Sequence, residues 1–384
     1  MCEADFGVTG TTTWQNLRIR VAGAEEMNKR KWIAAAGLLL LSAVGFYVYQ
    51  QRRGAGSSSG RNDLLERMPA DASAVVFADL AELRRAPFVA QLYAWAPQPE
   101  PDEDYARFLN ETGFHYERDL DRLAIAFQKA GQDSAFFAVA DGRFDLQKIS
   151  ALANKSGTVE KNGSHEIFAI PEGGEAKKIY LTFLSNERIA LTDRADLGQN
   201  LVGRKRSEDS AEWRSRFDRL GGSPIFAVIR QDAAPGAALT ERAPGGFSSP
   251  QLSTAMDRLQ WITLAGKPEN DRLHVVAEGE CASEDTARQL ADLLNGVLAL
   301  AEAGLNDAKT RQELDPSVRE AYLTLLKSAD VSKLDRGDTK SVRIAFEITP
   351  AFLESARRAS VGPTAPAPKA LPGNPATASK KGRS

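Results

Sequence analysis

The chain has 384 residues, 42% of them hydrophobic and 26% charged, with a formal net charge of −2. Those proportions fit a globular chain with enough apolar material for a core, and near-neutrality leaves no basic stripe for nucleic acid. The two cysteines, Cys2 and Cys281, exclude a disulfide framework and a CxxC metal knuckle.

Residues 1–31 read as a cytoplasmic N-terminal segment. Within it, residues 1–26 show no hydrophobic period, and Met27 opens MNKRKWIAAAGLLLL, the kind of start an exported protein has. Residues 1–26 are therefore either a start-site artefact or a short cytoplasmic tail. Residues 32–49, WIAAAGLLLLSAVGFYVY, form 18 consecutive positions without a charge. As a helix this run is about 27 Å long, close to the ~30 Å hydrocarbon core of a bilayer. Trp32 stands at one edge and Phe46, Tyr47 and Tyr49 at the other, where aromatic rings prefer the membrane interface. The run exceeds the length of a signal-peptide core and ends in the bulky FYVYQQRR, a poor cleavage site. An uncleaved single-pass anchor is the expectation, with the lipid bilayer as the partner of residues 32–49. Arg18, Arg20, Lys29, Arg30 and Lys31 precede the run closely, against Arg52, Arg53 and Arg61 after it. That excess predicts the N-terminus inside and the C-terminal part outside the cytoplasm, in the bacterial cytoplasmic (inner) membrane.

Residues 50–62, with Gly54-Ala55-Gly56-Ser57-Ser58-Ser59-Gly60, read as a flexible linker. A globular region is expected from Asp63 to about Arg358. Residues 359–384 carry Pro363, Pro366, Pro368, Pro372 and Pro375 and lack the apolar content of a core, which predicts a disordered tail.

Between those limits the sequence carries two similar units. Asp121-Arg122-Leu123 opens LAIAF, and after a polar stretch FFAVADG leads to the helical DLQKISALANKSG. Asp257-Arg258-Leu259 opens QWITLAG, and after another polar stretch LHVVAEG leads to SEDTARQLADLLNGVLAL. Gly142 and Gly279 end the second strand of each unit, and the strands SAVVFADL (73–80) and SPIFAVIR (223–230) precede them. The expected organisation is a degenerate duplication, with α+β repeats over 63–205 and 206–358.

Local signals agree with an α+β class. Asn162-Gly163 inside EKNGSHEIFAI predicts a two-residue hairpin. KIYLTFL, the turn SNE and RIALTD predict another over 178–193. In VRIAFEI, Val342, Ile344, Phe346 and Ile348 alternate with Arg343 and Glu347, the pattern of a half-buried strand. Ser283 precedes a helix with Glu284 and Asp285 in its first turn and an apolar face through Leu290, Leu293, Leu294, Val297 and Leu298. Adjoining hairpins predict antiparallel sheets with helices packed on one face.

Met68-Pro69-Ala70-Asp71-Ala72 before the strand VVFADL, and the later Gly142-Arg143-Phe144-Asp145 between strand and helix, resemble uncharacterised membrane-anchored exported proteins of bacteria. The resemblance covers residues 65–200. It implies an envelope protein with an extracytoplasmic α+β region, and it brings no catalytic residues with it.

The chemistry-bearing residues are sparse. His115, His165 and His274 have no second histidine at i+3 or i+4, so no zinc motif is present. The one GxSxG string, Gly56 to Gly60, lies in the Gly/Ser linker and not after a strand, and the sequence holds no P-loop and no GxGxxG after a strand. Glu100, Asp102, Glu103 and Asp104 lack the glycine turn of a calcium loop and read as a solvated charged loop, as do Arg204-Lys205-Arg206. Asp79 and Glu82 at a strand–helix junction read as a helix cap. Tyr93 and Trp95 read as buried helix residues, and Cys281 as a half-buried thiol at a strand end. No catalytic residue, cofactor or metal ligand is expected. The favoured function is a non-catalytic binding or scaffold module with an envelope protein or hydrophobic ligand as partner. The alternatives are a lipid or hydrophobic-ligand binding protein and an envelope hydrolase with an unrecognised site.

Overall fold

The computed structural model describes residues 58–95, 103–130, 133–162, 165–171, 177–196, 211–231 and 254–361. Residues 1–57 and the tail from 362 lie outside them, so the expected anchor at 32–49, the orientation charges and the Pro-rich segment do too. No helix among the described residues is long and apolar enough to cross a membrane.

Strands β1 (Ala74–Asp79), β2 (Leu120–Ala130), β3 (Asp133–Gly142), β4 (Thr158–Asn162), β5 (His165–Pro171), β6 (Lys178–Ser185), β7 (Arg188–Thr192), β8 (Ile225–Arg230), β9 (Leu259–Glu269), β10 (Arg272–Cys281), β11 (Asp330–Arg336) and β12 (Thr339–Ile348) form one sheet. Their order across it is β11-β12-β10-β9-β8-β1-β2-β3-β7-β6-β5-β4, and every pairing is antiparallel. The separate sheets expected from the sequence are thus a single sheet, because β1 pairs directly with β8. Both expected hairpins are present, as β4–β5 with Asn162 opposite His165 and as β6–β7 with Ser185 opposite Arg188.

Successive residues of a strand point to opposite faces, so the pairing registers define a front and a back. Val75, Phe77, Ala124, Ala126, Val139, Ala190, Phe226, Val228 and Ala265 share the front and are buried there. Two short helices cover them: α1 (Ser58–Leu65), which contributes Leu64 and Leu65, and α7 (Ala211–Arg219), which contributes Trp213 and Phe217. This corrects two expectations. Ser58 to Gly60 are helical and not tether, and helices cover both faces because Val75, Phe77, Phe226 and Val228 are as apolar as the residues between them.

The back carries the remaining helices. Helices α2 (Leu80–Leu83) and α3 (Pro87–Trp95) pack Leu80, Leu83, Phe88, Val89 and Tyr93 against Ala78, Ile225 and Leu273. Beyond α4 (Glu103–Thr112) and α5 (Tyr116–Asp119), α6 (Leu146–Ser156) packs Ile149 and Ala153 on Ala140, Phe168 and Leu181. At the other end α8 (Glu284–Asn306) sets Ala287, Leu290 and Ala291 against Ile262 and Val342. It is followed by α9 (Ala308–Glu313), α10 (Pro316–Lys327) and α11 (Pro350–Val361), with Tyr322 of α10 edge-on to Phe352 of α11 at 5.2 Å. The helix starts follow from local chemistry. Asp145 Oδ1 accepts from Lys148 N at 3.1 Å, Ser283 Oγ from Thr286 N at 3.2 Å, and Asp315 precedes Pro316 and accepts from Ser317 N at 2.8 Å.

Gly142 lies where β3 passes the end of α5. A Cβ there would sit 2.5 Å from the Asp119 carbonyl oxygen and 3.3 Å from the Leu120 Cα. Both are backbone atoms, so Gly142→Ala is expected to cost about 2 kcal/mol. Gly296 in α8 has open space around its would-be Cβ, and Gly296→Ala is expected to stabilise by about 0.5–1 kcal/mol. Urea midpoints of the two variants, moving in opposite directions, are the check.

Candidate functional site

A ladder of opposite charges lies on the front. Asp79, Arg122, Asp141 and Arg188 face one another in sequence across β1, β2, β3 and β7. Arg122 Nε donates to Asp79 Oδ2 at 3.0 Å, and Arg188 Nε to Asp141 Oδ1 at 2.6 Å, with Arg122 Nη1 3.8 Å from Asp141 Oδ2. Asp63 of α1 closes the ladder on Arg188. Hydrogen bonding to Asp141 holds the Arg188 pKa above its ordinary value, against the effect of burial. Asp79 also accepts from Glu82 N at 2.8 Å, the cap expected from the sequence. Alternating charges directly opposite one another stabilise a sheet, and here they also pin α1.

A second cluster joins α7 to the other half of the sheet. Glu278 and Glu280 share the front of β10 and are 8% and 2% exposed. Arg216 and Arg219 bind Glu280. Arg336 binds Glu278, and Ser341 Oγ donates to Glu278 Oε1 at 2.8 Å. The Arg216 guanidinium lies 3.9 Å from the Trp261 ring centre, a favourable cation–π placement. Burial alone would raise the Glu278 pKa, but the bonds from Arg336 and Ser341 and the nearby Arg219 bring it below the ordinary glutamate value. Its contribution to stability is then complete above the unfolded glutamate pKa of about 4.3 and is lost as pH falls through the lower folded value. Glu278→Gln is expected to flatten the acid limb of a stability-versus-pH curve. An unchanged acid limb would contradict this assignment.

Glu278, held below the ordinary glutamate range, is therefore poorly suited to act as a general base near neutral pH. Asp119 follows the same logic: burial opposes ionisation, but Arg118, the His115 N–H and Arg143 hold its pKa down. A general base near neutral pH needs the opposite shift. Among the described residues, no group of three or more His, Cys, Asp or Glu side chains could hold a metal ion. His115 precedes α5 and its side chain makes no capping bond to it, while His165 and His274 sit on β5 and β10, eight places apart in the sheet. The structure brings no two histidines together on one strand pair. Glu103 and Asp104 fall at the start of α4, and the rest of the acidic run, like Arg204-Lys205-Arg206, lies outside the described residues. Tyr93 is buried as expected. Cys281 is 5% exposed, more deeply buried than expected, and burial pushes its thiol up to about 11. In a Cys2→Ser chain, iodoacetamide at neutral pH is expected to modify Cys281 only after unfolding; rapid labelling of the native chain would contradict the burial.

The most open apolar surface of the sheet is on its back. Ala277, Leu264, Ala227, Val76 and Ile125 pair in one straight row across β10, β9, β8, β1 and β2. These strands occupy the middle of the sheet, between the α6 and α8 layers, yet Leu264 is 40% exposed and the other four are half-buried. The row contains no ionisable side chain. It can bind apolar matter by excluding water and can do little else. The sequence hid it because LQWITLAG is apolar on both faces of β9, so alternation did not mark an open side.

No family model and no curated protein matches the chain. Three solved structures of TP0453 are similar to it at 10% sequence identity. Crystal form IV gives a TM-score of 0.42 and covers 79% of this chain and 98% of that one. Crystal form III gives 0.43 with 78% and 98%, and crystal form I gives 0.39 with 78% and 97%. At these TM-scores the likeness assigns neither a family nor an activity.

Proposed function

We propose that the chain is a single-pass membrane protein of the bacterial envelope that presents a non-catalytic α+β binding or scaffold module outside the cytoplasm. The anchor is residues 32–49, with the N-terminus inside. The observation that carries the binding reading is the open row Leu264–Ala227–Val76–Ile125 in the middle of the sheet, between the helical layers on its back. A second reading, a lipid or hydrophobic-ligand binding protein, is favoured by the same row, since it offers apolar side chains without a charge.

The module reads as two degenerate units meeting at β1–β8. Phe77 pairs with Phe226; Phe77 also pairs with Ala124, which faces Val139, and Phe226 pairs with Ala265, which faces Val276. Three residues further on stand Gly142 and Gly279.

A photo-crosslinking residue at position 264 of the full chain in living cells tests the surface. A discrete protein adduct supports the scaffold reading, and an adduct of lipid mass supports the ligand reading. No adduct from a folded chain at position 264, with the same silence at a control on β4, would remove the row as a binding surface.

A further inference from the structure

We propose that Arg343, on the front of β12, is a binding position for a carboxylate that the described residues do not supply. The inference is independent of the apolar row on the back and of the anchor. It starts at the seam between β1 and β8. Outward from Phe77 the registers place Ala124, Val139 and Ala190 in one row, and outward from Phe226 they place Ala265, Val276 and Ala345. Two residues along those strands, Arg188 stands opposite Asp141 in the first half and Arg343 opposite Glu278 in the second. Arg188 is satisfied there, bound to Asp141 of β3 and Asp63 of α1. In the second half Arg336 binds both oxygens of Glu278, and Ser341 donates to one of them as well. The Arg343 guanidinium is left with no hydrogen-bond or ion-pair partner among the described residues, and its Nε is buried. Ser332, directly opposite on β11, is half-buried, and its hydroxyl has no partner among them either.

A buried donor without an acceptor is costly, and a guanidinium fork matches a carboxylate through two parallel bonds. The ligand chemistry follows from the first half, where the arginine at the matching position takes two carboxylates. The charges around Arg343 point the same way. Glu278 stands beside it, and the exposed Asp330 lies on the same face two residues from Ser332. Both repel a doubly charged phosphate more than a singly charged carboxylate. Asp330 itself forms no ion pair with Arg343. The buried cluster under α1 and α7 includes no residue of β11 or β12. Arg343 therefore stands at the margin of the covered front, half-buried and not sealed. A free carboxylate and the acidic side chain of a partner share this chemistry, and a competition experiment separates them.

The test uses the full chain in detergent micelles, with fluorescein-labelled hexaglutamate as the probe and anisotropy as the readout. Arg343→Gln is expected to weaken binding about tenfold. Its urea midpoint is expected to stay at or above that of the parent chain, because the substitution removes no bond. Arg343→Lys keeps the charge without the planar fork and is expected to fall between the two. Lys327→Gln, at an exposed position on α10, is the control and is expected to bind like the parent. Displacement of the probe by glutarate would assign a free carboxylate, and resistance to it an acidic side chain of a partner; either supports the proposal. Stronger displacement by phosphate than by glutarate, at equal ionic strength, would overturn the carboxylate assignment. No binding by the parent chain, binding unchanged in Arg343→Gln, or an equal loss in Arg343→Gln and Lys327→Gln would overturn the site.

Discussion

Phe226→Ala is expected to destabilise the protein by about 4 kcal/mol, within the range measured for large aromatic truncations in cores. Phe226 is 2% exposed at the pairing of β1 with β8. Its ring stacks on Phe77 with centroids 5.1 Å apart and touches Phe217 of α7 at 5.9 Å. The Arg61 guanidinium lies over both strand phenylalanines, 5.6 Å from Phe77 and 5.0 Å from Phe226, while its Nη2 donates to the Phe217 carbonyl at 2.8 Å. Burial lowers the Arg61 pKa, so this cation sits there at some cost and depends on the aromatic faces around it. Removing the ring opens a cavity under α1 and α7 together and weakens the one strand pair that joins the two halves of the sheet. Urea unfolding of Phe226→Ala, Phe77→Ala and the double variant measures both the loss and the coupling. A coupling of about 1 kcal/mol is expected for stacked rings. A loss below about 1 kcal/mol in either single variant would contradict the seam as described.

Glu280→Ala is the second large effect, expected at about 3–5 kcal/mol. The Glu280 side chain is 3% exposed, and it pairs with Arg216 and Arg219, whose side chains are 12% and 26% exposed. Truncation strands the positive charge of Arg216 between α7 and the sheet, where little water can reach it. Most of the cost is that stranded charge and not the worth of the pair itself. Removing both members therefore costs less than removing one, and Glu280→Leu with Arg216→Met is expected to recover part of the loss. A double variant as unstable as Glu280→Ala would show that the glutamate acts through something other than charge.

Much of the architecture was legible because it is written in local chemistry. The Asn-Gly signal and the SNE turn announce the β4–β5 and β6–β7 hairpins, whose strands pair Asn162 with His165 and Ser185 with Arg188, and Asp79, Asp145 and Ser283 each cap the helix that follows them. Non-local features were not legible. The pairing of Phe77 with Phe226 links residues far apart in sequence, and no short-range pattern specifies it. The first part of helix α1, Ser58 to Asn62, reads as a linker because it holds no apolar side chain, yet it is helical and leads into Leu64 and Leu65, which are fully or almost fully buried. Helix α7, AEWRSRFDR, is mostly polar and reaches the core through Trp213 and Phe217 alone. Missing these two helices is what led to the expectation of helices on one face. The buried glutamates were equally hidden: Glu278 and Glu280 in VVAEGEC look like solvent-side alternation until α7 brings its arginines over them.

Anchoring by residues 32–49 would place the module outside the cytoplasm. A C-terminal reporter active only outside the cytoplasm, read together with carbonate extraction of membranes, tests it most directly. An active reporter that stays in the membrane pellet is the expected result. A silent reporter in the pellet would invert the orientation, and an active reporter released to the soluble fraction would mean that residues 32–49 do not hold the protein in the membrane.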